Sequence, residues 1–334
     1  MLYDMMKSVL FSLLLNLPVN ATPPAELQQL FERARYQQLL NEIAAKQDAY
    51  QDPDVMLLQV RALIQQQFRE EANTLLNELV LAHPEHSAIL TQAALNKLVL
   101  ANSGSVFNAR KRANDALELL HKAVELEPTN FQAQQALVSF YQTAPANAGG
   151  SKALAAERAA LLSQLDRTQG ILATVNIAVN ENRLSDALQL LEQQLRVEPE
   201  NTDLLLRKAA LLVQQRSFLV AQETYMQALP LLTDQQQKQS AHFQIGRLAV
   251  FSGKHQASAI AALESYLEFY ESSQQPRLHR AKLRLAQLYL QQGDSNKAQR
   301  LYLDIAKINS DEQDFLETRA ELARQLGYVI SPAE

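Results

Sequence analysis

The chain has 334 residues, a formal net charge of −5 and no cysteine. The negative charge excludes a nucleic-acid binder held by phosphate attraction, and the missing thiols exclude disulfides, thiolate metal sites, cysteine nucleophiles and lipid attachment through cysteine. Hydrophobic residues at 47% beside only 8 glycines, 11 prolines and 6% aromatics describe an ordered, helix-favouring chain with little turn or strand character.

Residues 1–21 read as a secretory signal. Lys7 precedes the apolar segment Ser8–Leu17, Pro18 breaks it, and Val19-Asn20-Ala21 fits a small-residue cleavage site. Ten apolar residues fall short of the roughly 20 that cross a bilayer. The expectation is a mature chain from Thr22, soluble in a bacterial periplasm. The competing expectation is an uncleaved helix packed on the protein. Residues 22–52 are expected to form an N-terminal helical segment or degenerate repeat, with Leu27, Leu30, Phe31 and Ala34 at helical spacing.

From Pro53 onward the chain repeats itself. Ala187 aligns with Ala221, Leu191 with Tyr225 and Ala178 with Leu212, each pair 34 positions apart. The same register fits Pro53–His86 and His279–Glu312, the latter with Leu285, Ala286, Tyr289, Gly293, Ala298, Tyr302 and Ile305. Ser87–Asn130, Phe131–Arg167 and Gln239–Pro276 fit once insertions are allowed. Two helices approach closely only where side chains are small, so Ala209, Ala221 and Ala228 mark the expected crossing within one unit. Larger residues such as Leu205, Leu212 and Tyr225 fill around it. No such unit buries its apolar stripe alone, so each must lean on the next. A generic helical bundle would not keep this register.

A period of 34 with small residues at these places resembles the tetratricopeptide repeat, although Lys282 stands where that family often carries tryptophan. The resemblance implies an all-α, right-handed α-solenoid of seven to eight helix-turn-helix units, with the array over 53–312. Residues 313–327 resemble the solvating helix that closes such arrays: Phe315, Leu316, Ala320, Ala323 and Leu326 share a face, and Gly327 is placed to end it in a left-handed turn. Residues 328–334 are expected to be a tail.

Two insertions and the histidines are the remaining candidate sites. Asn102–Arg112 ends in Arg110-Lys111-Arg112, a basic run that opposes the helix dipole at a helix start and otherwise reads as a solvated surface. Ala144–Ser151 contains Gly149-Gly150, expected to supply positive φ before the next helix. Its Gly-Gly-Ser-Lys order lacks the spacing and preceding strand of a phosphate loop. His83, His86, His121, His242, His255 and His279 form no metal-ligand spacing, and no nucleophile motif accompanies them. No cofactor, metal or catalytic set is therefore expected.

The resemblance also implies that the first helices of successive units line a concave groove. Its inward positions would hold Asn176, Asn180, Arg207, Phe243, Arg247, Phe251, Arg280 and Arg284. Arginine offers planar donors for carboxylates, and aromatics offer apolar contact to an extended peptide. The function expected is a non-catalytic adaptor of the bacterial cell envelope, binding a protein or peptide through an acidic or C-terminal segment. The competing expectation pairs the arginines with Glu264, Glu268 and similar neighbours as solvated ion pairs. Rival functions are an enzyme or accessory subunit using the Gly149-Gly150 loop, and a structural spacer.

Overall fold

The computed structural model describes residues 23–46, 50–101, 106–273, 275 and 277–328; the expected signal and the end of the tail lie outside them. All regular structure among the described residues is helical. After α1 (Ala25–Glu32) and α2 (Tyr36–Ala45), helices alternate between first and second members of pairs. The pairs are α3 (Pro53–Gln65) with α4 (Arg69–Ala82), α5 (Ser87–Ala101) with α6 (Val106–Leu126), and α7 (Phe131–Thr143) with α8 (Lys152–Leu165). They continue with α9 (Arg167–Asn180) and α10 (Leu184–Leu195), α11 (Thr202–Gln214) and α12 (Phe218–Ala228), and α13 (Gln235–Ser252) and α14 (Gln256–Phe269). The last pair is α15 (Leu278–Gln291) with α16 (Ser295–Ile305), followed by α17 (Gln313–Gln325). This is an α-solenoid of tetratricopeptide-type units.

Local signals set the pair boundaries. Asp52, Asn130, Asp166, Asn201 and Asp234 each accept a hydrogen bond from the backbone N–H at the start of a first helix. Such caps contribute about 1 kcal/mol apiece. The turn between first and second helix repeats as well. Gln67, Asn182, Arg216, Gly253 and Gly293 are left-handed, with φ of 69°, 59°, 63°, 67° and 83°. Each is the fifteenth residue of its unit, so one backbone geometry recurs whether or not glycine supplies it.

The chain divides into two compact units, one reaching to Leu191 and one from Glu192 onward that also takes in the turn Glu32–Ala34. In the N-terminal unit Leu76, Leu79, Leu90, Leu95, Leu120 and Leu137 form a continuous buried core. First helices touch one another there, α3 against α5, α5 against α7 and α7 against α9. In the C-terminal unit α13 touches α15 in the same way. There α17 closes the core of Leu283, Ala286 and Ile305 with Phe315 and Leu322. Gly327 has φ 82°, and the N–H of Tyr328 reaches the carbonyl of Ala323, which ends α17 in a left-handed turn.

Ala187, Ala209, Ala221 and Ala228 are fully buried at the crossings. Two glycines permit still closer approach. A Cβ on Gly170 would lie 2.4 Å from the Ser163 Cα, and one on Gly246 would lie 2.1 Å from the Leu263 Cγ.

Three details depart from the sequence expectation. The helix expected to begin at the basic run of the first insertion starts earlier, at Val106, so α6 has 21 residues, and Arg112 donates to the Leu100 carbonyl at 2.8 Å. In the second insertion only Gly149 takes positive φ. Gly150 is required by space, since a Cβ there would meet the Ala144 carbonyl oxygen at 1.8 Å. On α17, Leu322 joins Phe315 and Ala323 in the core, whereas Leu316 and Ala320 are only half-buried.

Two substitutions test this packing by equilibrium urea unfolding. Gly170→Ala gains up to about 1 kcal/mol of helix propensity. Overpacking against the Ser163 backbone costs roughly 1–3 kcal/mol, so net destabilisation is expected. Arg216→Gly relieves a left-handed strain of about 1–2 kcal/mol and loses roughly 0.5–1 kcal/mol to chain entropy, so it should be neutral to stabilising.

Candidate functional site

Side chains from five helices converge on one region of the C-terminal unit. Arg207 comes from α11, Tyr225 from α12, Phe243, Arg247 and Phe251 from α13, and Arg280 and Arg284 from α15; Arg277 stands just before α15. Arg280 and Arg284 are one helical turn apart and share a face. Glu312 and Asp314 reach this face from the start of α17.

The ion pairs are specific. Arg280 Nε donates to Glu312 Oε2 at 2.6 Å, and His279 Nε2 lies 3.2 Å from the same oxygen. Arg280 and Arg284 each stand 3.9 Å from Asp314 Oδ2. Arg284 also donates to Gln287 at 2.9 Å, and Arg247 Nε donates to Gln244 at 3.0 Å. The expected pairing with Glu264 does not occur: Glu264 accepts the Tyr289 hydroxyl instead. The carboxylates that meet these arginines come from the cap helix, which no within-repeat register would reveal.

Aromatic rings hold the guanidiniums from behind. Arg284 lies over Phe251 at 5.1 Å and Arg277 over Phe243 at 5.6 Å. Phe243 in turn packs on Tyr266 at 5.5 Å, and Phe251 on Phe218 at 5.1 Å. Stacking of this kind contributes about 0.5–2 kcal/mol and fixes the plane of the guanidinium. Phe243 is buried, whereas Phe251 is 49% exposed and is available for contact.

Burial and mutual repulsion set the electrostatics. Burial brings Arg207 down to about 10. Burial also lowers Arg247, with Tyr225 opposing and Arg277 and Arg280 adding repulsion. Arg284 is lowered by burial, with Asp314 compensating in part. Burial pushes the Tyr225 phenol up to about 12 against the pull of Arg247, Arg277 and Arg207, so at neutral pH it remains a hydrogen-bond donor among cations. The region collects five arginines against two carboxylates, and it is suited to receiving further negative charge.

Arg207, Phe243, Arg247, Phe251, Arg280 and Arg284 thus all lie in the C-terminal unit, whereas Asn176 and Asn180 are half-buried on α9 of the N-terminal unit. Sequence reasoning missed Tyr225 because it sits on a second helix. It missed Arg277 because that residue precedes the repeat, and Glu312 and Asp314 because their role depends on where the cap docks.

Beside the Gly149-Gly150 loop, His121 Nε2 and the Tyr141 hydroxyl are 2.9 Å apart. A recess of about 330 Å³ there is lined by Tyr141, Leu154, Arg158 and Leu161. Among the described residues no group of three or more potential ligands could hold a metal ion, and no helix is long and apolar enough to cross a membrane.

Comparison with known proteins gives one family match and several distant structural likenesses. Residues 279–312 match the tetratricopeptide-repeat family model, over the unit with the fullest pattern. No curated protein matches the chain. Among solved structures, the chain is similar to the APC/C hetero-tetramer Cut9-Hcn1, at 15% identity and a TM-score of 0.47, over 90% of this chain and 54% of that one. It is similar to Pseudomonas aeruginosa pilF at 18% identity and a TM-score of 0.45, over 72% of this chain and 99% of that one. It is also similar to YrrB, described as a TPR protein with an unusual peptide-binding site, at 18% identity and a TM-score of 0.38, over 73% and 97% of the two chains. The helix pairs and the one repeat match describe a solenoid of tetratricopeptide-type units.

The docking of α17 should depend on pH through Glu312. Burial would raise that carboxyl, but hydrogen bonds from Arg280 and His279 outweigh it and hold it below its ordinary value. A depressed carboxyl contributes stability that is present above the unfolded value of about 4.3 and is lost as pH falls through the folded one. Unfolding midpoints measured between pH 6 and pH 3 should therefore fall less steeply in Glu312→Gln than in the native chain.

Proposed function

We propose that the chain is a non-catalytic scaffold that holds a partner polypeptide along the face formed by its first helices, chiefly through the arginine-rich face of the C-terminal unit. One observation carries this reading: five arginines on this face, two of them stacked on aromatic rings, outnumber the two carboxylates beside them. Arginines held this way lose little freedom on binding, and charge-assisted bonds to carboxylates are the strong ones. Exposed Phe251 adds apolar contact beside them. An acidic or C-terminal segment of a protein is the partner that this chemistry favours.

The same proposal places the protein in a bacterial cell envelope. The apolar run Ser8–Leu17 and the small residues before Thr22 support export with cleavage near Ala21. Peptide sequencing of the mature protein from an envelope fraction should find Thr22 as the first residue.

Binding can be tested with the partner recovered by crosslinking in cells and then purified. Changing Arg247, Arg280 and Arg284 together to Glu reverses the charge of the face. Titration calorimetry should then show binding weakened at least about a hundredfold, in line with several kcal/mol from lost charged pairs and new repulsion. Undiminished binding would refute the assignment of the groove.

A further inference from the structure

The two arginines of α15 are held by the cap helix in different ways. Arg280 Nε donates to Glu312 Oε2 at 2.6 Å, a short charge-assisted bond. Asp314 Oδ2 instead stands 3.9 Å from Arg280 Nη1 and 3.9 Å from Arg284 Nη2, equally far from both and beyond hydrogen-bonding reach of either. Its side chain is 69% exposed, while that of Arg284 is only 10% exposed. Among the described residues no other carboxylate stands within ion-pairing distance of Arg284. Arg284 Nη1 donates to Gln287 at 2.9 Å, and the guanidinium lies over the Phe251 ring at 5.1 Å. Its plane is thus fixed, and Nη2 faces Asp314 without a hydrogen bond.

We propose that Asp314 is an internal stand-in: it covers a carboxylate subsite between Arg280 and Arg284, and an aspartate or glutamate side chain of the partner polypeptide replaces it on binding. This rests on reading the C-terminal unit as a polypeptide-binding face, and it names the two residues that take the partner's carboxylate and the residue that must leave. An exposed carboxylate at this distance is weakly held, because water and salt screen it and it makes no hydrogen bond to either arginine. A carboxylate arriving on a partner can come closer and accept paired, planar bonds from guanidiniums whose orientation is already set. Asp314 can swing out without undocking the cap: Glu312 keeps its bond to Arg280, and Phe315 and Leu322 stay in the core. The half-exposed Phe251 ring behind Arg284 then offers apolar contact to the residue next to the incoming carboxylate. The resident group is itself a side chain within a continuing chain, so the occupant that matches it is an acidic side chain and not a chain end.

The test uses the full chain and three peptides in an Ala-Ser frame, each labelled with fluorescein at the N-terminus. The first carries Asp-Glu-Leu-Asp-Glu and is amidated at the C-terminus. The second has Asn and Gln at the acidic positions and is also amidated. The third is the second with a free C-terminal carboxylate. Fluorescence anisotropy at low salt should show binding of the first peptide alone. Asp314→Asn should tighten it about three- to fivefold by removing the competing carboxylate. Glu321→Gln, the same change of charge at an exposed place further along α17, should alter it less than about twofold. Arg284→Gln should weaken it about tenfold or more, the loss of a charged hydrogen bond. A gain in affinity does not arise from lost structure, so Asp314→Asn reads the subsite even where Arg284→Gln perturbs the core.

If the acidic peptide binds and is lost when Arg247, Arg280 and Arg284 are changed together to Glu, yet Asp314→Asn leaves its affinity unchanged or lower, the stand-in is overturned while the groove reading stands. Equal tightening by Glu321→Gln overturns it in favour of overall charge. Equal binding of the neutral amidated peptide overturns the carboxylate recognition. Preference for the free C-terminus overturns the side-chain assignment in favour of a chain end. Failure of both the native chain and Asp314→Asn to bind any of the three peptides overturns the subsite. If the crosslinked partner also binds the triple Glu variant undiminished, the groove reading falls with it.

Discussion

Close approach of two helices at small residues is the constraint on which the structure depends. A helix pair exposes an apolar stripe that it cannot cover by itself, and it can stack on a neighbour only if its own two helices first come together. Ala187, Ala209, Ala221 and Ala228 meet that demand with a methyl group and Gly246 with none, while Gly170 gives the same closeness between one pair and the next, against Ser163. The left-handed residue at the fifteenth position of five units serves the same end, because it returns the second helix along the first at one angle. Next to the last pair, α17 adds Phe315 and Leu322 to the core of Leu283, Ala286 and Ile305.

This packing also determines where polar chemistry can stand. In the N-terminal unit the first helices α3, α5, α7 and α9 touch in succession, and in the C-terminal unit α13 touches α15. Side chains on the free side of these helices are partly shielded by their neighbours, so charges there are worth more than on a convex surface. In the C-terminal unit those positions are filled by arginines on aromatic supports, and the cap helix neutralises only part of them. The cap is thus at once the lid of the hydrophobic core and a set of acidic partners. A change at Glu312 or Asp314 would therefore be felt both in stability and in the charge presented to a partner.

Most of the fold was legible in the sequence. The 34-residue register, the alanines at the crossings and the cap ending at Gly327 are local or strictly periodic signals, and the structure places helices accordingly. Departures occur where register gives no information. In the first insertion the helix starts at Val106, ahead of the basic run where a helix start was read, because that run is flanked by good helix formers. Gly150 is needed for room and not for dihedral freedom, a distinction that depends on the Ala144 carbonyl beside it. The site was only half legible. The arginines on first helices could be counted from the repeat, but Tyr225 belongs to a second helix. Arg277 lies between repeats, and Asp314 arrives only when the cap docks. Pairing of charges across separate helices has no periodic signature.

The central claim is that the first helices, and not the second helices, engage another polypeptide. Photocrosslinking in cells tests it most directly, with benzoylphenylalanine placed at Phe251 on a first helix or at Leu303 on a second helix, both exposed. The account predicts a defined protein adduct from position 251 that disappears when Arg247, Arg280 and Arg284 are changed together to Glu, and none from position 303. Adducts from position 303 alone, or adducts from 251 that persist unchanged in that triple variant, would contradict it.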